Sequence, residues 1–197
     1  MPSNPRGAEL SRFLRRLPVA IVAATAIWAL SRPVYNPALC WMAQGLARLL
    51  ESPAAASIVA DGDAALLGRI DLRTDSGRLK LSLVQVHFNL IPFLTLVLAL
   101  PGALRGNGWR QLLFGLGLLG CAHALTLVWH LKTLYAFSMG PWSRVNYSDF
   151  ERNVFASLRY FFDIAVTFAL PMVAWVGLFS ERVLPMLGLS ATDAAAS

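Results

Sequence analysis

The sequence predicts an α-helical membrane protein: four transmembrane helices, with a small extracytoplasmic α+β insertion between helices 1 and 2. That insertion is an amphipathic helix plus a β-hairpin. Three observations predict this class. The 197-residue chain is 56% hydrophobic and only 14% charged, where a soluble domain carries about 25% charge. Its mean hydropathy is +0.56. Its apolar residues gather into long runs that need lipid around them, and the one segment that breaks the pattern, residues 57–88, alternates with a period of two.

The N-terminal residues 1–16 carry Arg6, Arg12, Arg15 and Arg16. Arginines before a first apolar run are the usual flank of a segment whose N-terminus stays in the cytoplasm. The net charge of +6 is accounted for by such flanks and forms no stripe on a soluble face. The sequence therefore points to the lipid bilayer as partner, and not to nucleic acid. The first span, 17–35, is built on the apolar run Leu17 to Ser31, which is short, because about 20 residues are needed to cross the hydrocarbon. It also resembles a signal peptide, but Arg32 and Pro33 follow directly on a poor cleavage context, so it is read as an uncleaved helix.

Residues 36–88 form the outer insertion. From Pro37 to Glu51, Leu39, Met42, Leu46, Leu49 and Leu50 recur at helical spacing, with Gln44, Arg48 and Glu51 on the other side. This is an amphipathic helix, lying in the interface plane or packing on the outer ends of the bundle. Alternation from Leu66 to Arg73 and from Arg78 to Leu83 flanks Thr74-Asp75-Ser76-Gly77, the pattern of a β-hairpin. Residues 57–60 are a possible third strand, ahead of the Asp61-Gly62-Asp63 turn. A two-stranded sheet is marginal in water, so it needs a partner surface.

The second span is 89–105, the loop 106–110, the third span 111–137, the outer loop 138–154, the fourth span 155–180 and the tail 181–197. Arg105 and Arg110 in a short loop, with Arg182 after the last span, put both termini on the cytoplasmic side. Trp28, Trp109 and Trp142 fall where interfacial anchors belong.

Ionisable groups inside spans are costly, and they mark function or an internal pair. The third span holds His123, His130 and Lys132, and the fourth holds Arg159 and Asp163. The histidines are seven apart and share a helix face, as do Arg159 and Asp163, four apart. Antiparallel helices place His130 and Lys132 near the depth of Arg159, with Asp163 between the two histidines. The bland reading is a polar clasp between helices. The functional readings are contact with a partner or substrate, or a proton path. Haem ligation by His123 and His130 fits poorly, since a bis-histidine haem needs ligands from facing helices and only His87, at the outer end of the second span, offers a third histidine; no spacing suits zinc. No catalytic, cofactor or metal site is expected. Cys121 and His123 are two apart and point away from each other, so Cys121 is read as a buried structural thiol. Gly115, Gly117, Gly120 and Ala124 allow close helix approach.

The layout resembles the small membrane proteins that accompany type H exosortases. The likeness is strongest at Val86-His87-Phe88-Asn89-Leu90-Ile91-Pro92-Phe93, where a strand feeds the second span. It continues at His130-Leu131-Lys132-Thr133-Leu134-Tyr135-Ala136-Phe137 and through the fourth span. The resemblance implies a non-enzymatic accessory protein of a bacterial inner membrane, with its outer side in the periplasm. It implies an exosortase as membrane partner, that is, a transpeptidase acting on proteins with C-terminal sorting signals. Such an enzyme uses a Cys, Arg and His set at the outer face, which this chain does not reproduce around Cys121. The alternative is a small transport or proton-handling subunit using His130, Arg159 and Asp163.

Overall fold

The computed structural model describes residues 5–51, 53–71 and 78–189. The expected turn at Thr74–Gly77, the strand residues Leu72 and Arg73, and the end of the tail lie outside the described residues. The element order is α1 (Pro5–Leu49), β1 (Ala56–Asp61), β2 (Ala64–Arg69), β3 (Leu79–Ser82), α2 (Leu83–His87), α3 (Leu90–Ala99), α4 (Gly108–Phe137), α5 (Pro141–Asn146), α6 (Asp149–Tyr160), a π-helical turn (Phe161–Val166), α7 (Thr167–Leu178) and α8 (Ser180–Met186).

Three helical stretches are long and apolar enough to cross a membrane: Gly7–Leu49, Gly108–Phe137 and Asp149–Leu178. The segment expected as the second span behaves differently. Its helix α3 has 10 residues, about 15 Å at 1.5 Å per residue, and Gly102 at φ 70° turns the chain just beyond it.

Helix α1 departs most from expectation. The first span and the amphipathic helix are one helix of 45 residues, about 67 Å long, running through Pro33 and Pro37. A proline removes one helical hydrogen bond and crowds the preceding turn. Tertiary anchoring offsets that here, because Asn36, between the two prolines, is buried and bonded by its side chain to two other segments. The buried face also differs. Leu39, Cys40, Ala43 and Ala47 are buried, while Trp41, Met42, Leu49 and Leu50 are exposed. The residues read as the polar side face protein: Gln44 Oε1 accepts from the Ile58 amide (2.9 Å) and Arg48 Nε donates to the Ala56 carbonyl (2.9 Å). Alternating small residues let the sheet approach the helix, so the wide apolar stripe is left outward.

The chain divides into two compact units. One comprises residues 1–29, 89–119 and 169–197. In it Phe13 stacks on Trp175 with ring centroids 5.9 Å apart, and Phe93 lies so close to Gly115 that a methyl group there would collide with its ring. Arg182 donates to the carbonyls of Gly102 and Arg105, tying α8 to the turn after α3.

The other unit comprises residues 30–88 and 120–168. Its sheet is antiparallel in the order β1-β2-β3, with Ile58 opposite Leu67 and Ala65 opposite Leu81. The possible third strand is thus present as β1. The strand expected to feed the second span stops at Ser82, and the short helix α2 follows. The sheet packs Ile58, Ala65 and Leu67 against Leu39, Ala43 and Ala47 of α1 and Leu127, Leu131 and Tyr135 of α4. This supplies the covering surface that a small sheet lacks in water. Tyr135, fully buried, donates to the Gly68 carbonyl (3.0 Å).

The loop read across 138–154 is mostly helical. Gly140 at φ 62° precedes Pro141, the first residue of α5. Ser148 then opens α6 with a capping box, its hydroxyl accepting from the Glu151 amide while the Glu151 carboxylate accepts from the Ser148 amide. Two orphan amides are satisfied in this way.

Candidate functional site

The ionisable residues predicted within the spans lie in the second unit, where they separate into three groups. The first surrounds Asp163. His130, on α4, donates through Nδ1 to the Thr126 carbonyl (3.0 Å). A carbonyl only accepts, so this nitrogen carries the proton. Nε2 then faces Asp163 Oδ2 at 3.4 Å, and the pair attracts when one further proton is shared between them. The same carboxylate oxygen lies 3.4 Å from Arg159 Nε. Arg159 closes α6, and Asp163 sits in the π-helical turn that follows. There the wider winding frees a carbonyl: the Thr167 hydroxyl donates to the Phe162 carbonyl at 3.0 Å. Such turns inside α-helices occur frequently at functional sites.

His130, Arg159 and Asp163 line a cleft of about 290 Å³ with Gln85, Phe88 and Phe168. A second cleft of about 400 Å³ shares Leu81, His130 and Arg159, and extends past Leu79, Lys80 and Phe137. The Arg159 and Asp163 side chains keep 39% and 30% of their surface exposed, so the described residues do not enclose the cluster.

The second group is closed. Lys132 stands two residues from His130, hence on a different face of α4, and pairs with Glu51 at 3.0 Å. The two side chains are only 12% and 4% exposed. Lys132 Nζ also lies 5.8 Å from the Tyr135 ring centroid. Glu51 Oε2 is buried and has no hydrogen-bond partner among the described residues.

The third group takes His123 away from His130. Its Nδ1 is 2.7 Å from the Tyr35 hydroxyl, and its ring meets that of His87 with centroids 6.4 Å apart. His87 Nε2 is 2.8 Å from Asn36 Oδ1. Asn36 Nδ2 donates to the Gly62 carbonyl (3.0 Å), and Asp63 pairs with Arg32 at 2.8 Å. Both histidines are fully buried, so this network ties α1 and α4 to the β1–β2 turn. Sequence reasoning missed Tyr35, Asn36 and Glu51 as partners. The first two are polar groups inside what proves to be a helix, a costly placement that signals a buried partner.

Trp28 is half-buried and Trp109 is exposed on the first turn of α4. Trp142 packs on Tyr135 at 6.0 Å, beneath the Arg69 guanidinium at 4.8 Å. Cys121 is exposed and Cys40 is buried, which corrects the expectation of a buried thiol at 121. The apolar setting that makes Cys121 acceptable there is the outward face of α4 rather than its packed one. No group of three or more His, Cys, Asp and Glu side chains among the described residues is placed to hold a metal.

The open cluster can receive a carboxylate on Arg159 and exchange a proton between His130 and Asp163. A family model described as exosortase H-associated membrane protein matches residues 7–182. No curated protein and no solved structure matches the chain.

Proposed function

The chain belongs to the exosortase H-associated membrane protein family, and on that premise we propose that it is a non-enzymatic accessory subunit that binds an exosortase in the bacterial inner membrane. The observation that supports a binding role is the contrast in exposure between two ionic groups. Glu51 and Lys132 are shut in, whereas Arg159 and Asp163 remain about a third exposed in a cleft. An ion cluster serving only as a helix clasp is expected to be closed, because burial strengthens the attraction between its members.

The topology proposed with this role has four spans and both termini in the cytoplasm. The spans are 17–35, 89–105, 111–137 and 155–180. The second is completed by the chain around α3, and residues 36–88 and 138–154 lie on the periplasmic side. Trp28, Trp109 and Trp142 sit at the membrane interfaces, where aromatic side chains are favoured.

Co-expression with the exosortase of the same genome and purification in a mild detergent tests the reading. The expected result is a stable complex. A chain that elutes alone after gentle solubilisation, with the exosortase expressed, overturns it. The proton-handling alternative draws on the close approach of His130 to Asp163. Asp163→Asn separates the two readings: loss of proton flux in vesicles with the complex intact favours proton handling, and loss of the complex favours partner binding.

A further inference from the structure

The two edges of the sheet are treated differently. The outer edge of β1 is partly covered by α1 through the Gln44 and Arg48 side chains, which take the Ile58 amide and the Ala56 carbonyl. The register shows which groups the opposite edge presents. The Leu83 amide donates to the Asp63 carbonyl at 2.9 Å, and Leu81 and Leu79 stand opposite Ala65 and Leu67 in the same phase. Alternation in an antiparallel ladder therefore turns the N–H and C=O of Lys80 and the N–H of Ser82 away from β2. The four-residue strand β3 is an edge whose backbone no described side chain covers.

That edge runs beside the cleft. Leu79, Lys80 and Leu81 line it from the strand side, and Leu134, Phe137 and Tyr160 line it from the helices. At its end Arg159 uses Nε on Asp163. Its two Nη groups have no hydrogen-bond partner among the described residues, which leaves the planar fork available for a carboxylate.

Building on the accessory role proposed above, we infer that this cleft receives an extended segment of the partner protein. The segment adds to β3 as a fourth strand and sets an acidic side chain against Arg159. A lipid chain fills apolar volume but offers nothing to backbone N–H and C=O groups, whereas an open strand edge is a ready template for another strand. A second backbone satisfies them in register, and the pockets beside the edge select its side chains. The apolar wall takes alternate side chains of the segment, and the Arg159 fork fixes its position along the strand.

The test uses the full-length chain co-expressed with the exosortase of the same genome. Lys80→Pro removes the outward N–H of β3 without touching the ladder to β2, since proline is tolerated on sheet edges. Arg159→Gln removes the fork and leaves the strand alone. Each variant is expected to lower co-purified exosortase about tenfold, the effect of losing one or two interfacial hydrogen bonds. Melting temperatures of both variants are measured, and if Lys80→Pro unfolds, Arg159→Gln decides. A photo-crosslinking residue at Phe137 is expected to form an adduct with a polypeptide. Capture unchanged in a folded Lys80→Pro and in Arg159→Gln, or adducts to phospholipid alone, overturns strand addition while the accessory role stands. Failure of the unsubstituted chain to capture exosortase overturns the accessory role itself.

Discussion

Helix α4 carries two ionic arrangements two residues apart, and they represent opposite solutions to placing charge in an apolar protein. Lys132 meets Glu51 at 3.0 Å with both side chains almost fully enclosed. His130 meets Asp163 at 3.4 Å, and Arg159 holds the same oxygen at 3.4 Å, with much of Arg159 and Asp163 still exposed. A closed pair costs desolvation on both sides, so losing either member strands a buried charge. An open cluster keeps part of its surface free of protein contacts, so a substitution there strands no enclosed charge. The difference separates an ion pair that holds the fold from one that is left available.

The largest effect that would break this contrast is at Lys132. Lys132→Ala is expected to lower stability by about 3–5 kcal/mol, read as a large fall in melting temperature in detergent. The double variant Glu51→Leu/Lys132→Met recovers most of that loss, because neither charge then needs a partner. Equal damage from the single and double variants would show that the charges themselves are required.

Ser148→Ala comes next. It removes the capping box that starts α6, the helix bearing Arg159, and costs about 1 kcal/mol. Circular dichroism and melting check it. A drop in exosortase capture without that loss of stability would detach the cluster from its supporting helix.

Asp163→Asn sharpens the comparison from the other side. Its stability effect is expected to be several-fold smaller than at Lys132, because Asp163 keeps 30% of its surface open, while partner capture falls. A loss as large as that of Lys132→Ala would make the open cluster a clasp after all.

The smallest effect is at a pair with one exposed partner. Arg69 and Asp71 pair at 2.6 Å, the Asp71 side chain 39% exposed and the Arg69 side chain 9%, where Arg69 keeps its stacking on Trp142. The Arg69 hydrogen bond, and after it the guanidinium charge, hold the Asp71 carboxyl below its ordinary range, against partial desolvation. Its folded value is thus lower than its unfolded one. The contribution is fully present above the unfolded pKa near 4 and is lost as pH falls through the folded value. Solvent screening keeps it under about 1 kcal/mol. Asp71→Asn should therefore lower the melting temperature slightly at about pH 6 and not at all at strongly acid pH.

What the sequence disclosed and what it hid follow from the range of the interactions. The long apolar runs and the alternation around residues 66–71 and 78–83 are local patterns, and they located three long helices and a small sheet. The four-residue spacing of Arg159 and Asp163 also sufficed to put them together, and His130 joins them. Long-range pairing was hidden. Nothing local says that Lys132 meets Glu51 or that His123 leaves His130 for Tyr35, because those choices depend on how α1 lies against α4. The first span to residue 35 and the amphipathic stretch from Pro37 read as separate elements, yet burial of Asn36 between Pro33 and Pro37 holds them as one helix. The apolar stripe of Leu39, Met42, Leu46, Leu49 and Leu50 read as one face, set either in the interface plane or on the bundle; Leu39 is buried, but Met42, Leu49 and Leu50 are exposed, because small residues at Ala43 and Ala47 make the closer contact. One local signal was overlooked: Ser148-x-x-Glu151 announces the start of α6.

The π-helical turn at Phe161–Val166 has a consequence for how this chain can change. It accommodates a surplus residue in the winding of the fourth long helix, and each residue in a helix sets an angular phase of about 100°. Deleting Ile164 would let the turn relax to ordinary α-winding, with the Phe162 carbonyl taken back by a backbone amide in place of the Thr167 hydroxyl. It would also swing Arg159 and Asp163 together by more than a quarter-turn, away from His130. The cleft therefore rests on a phase offset as well as on its side chains, and a one-residue length change could dismantle it while every lining residue was kept.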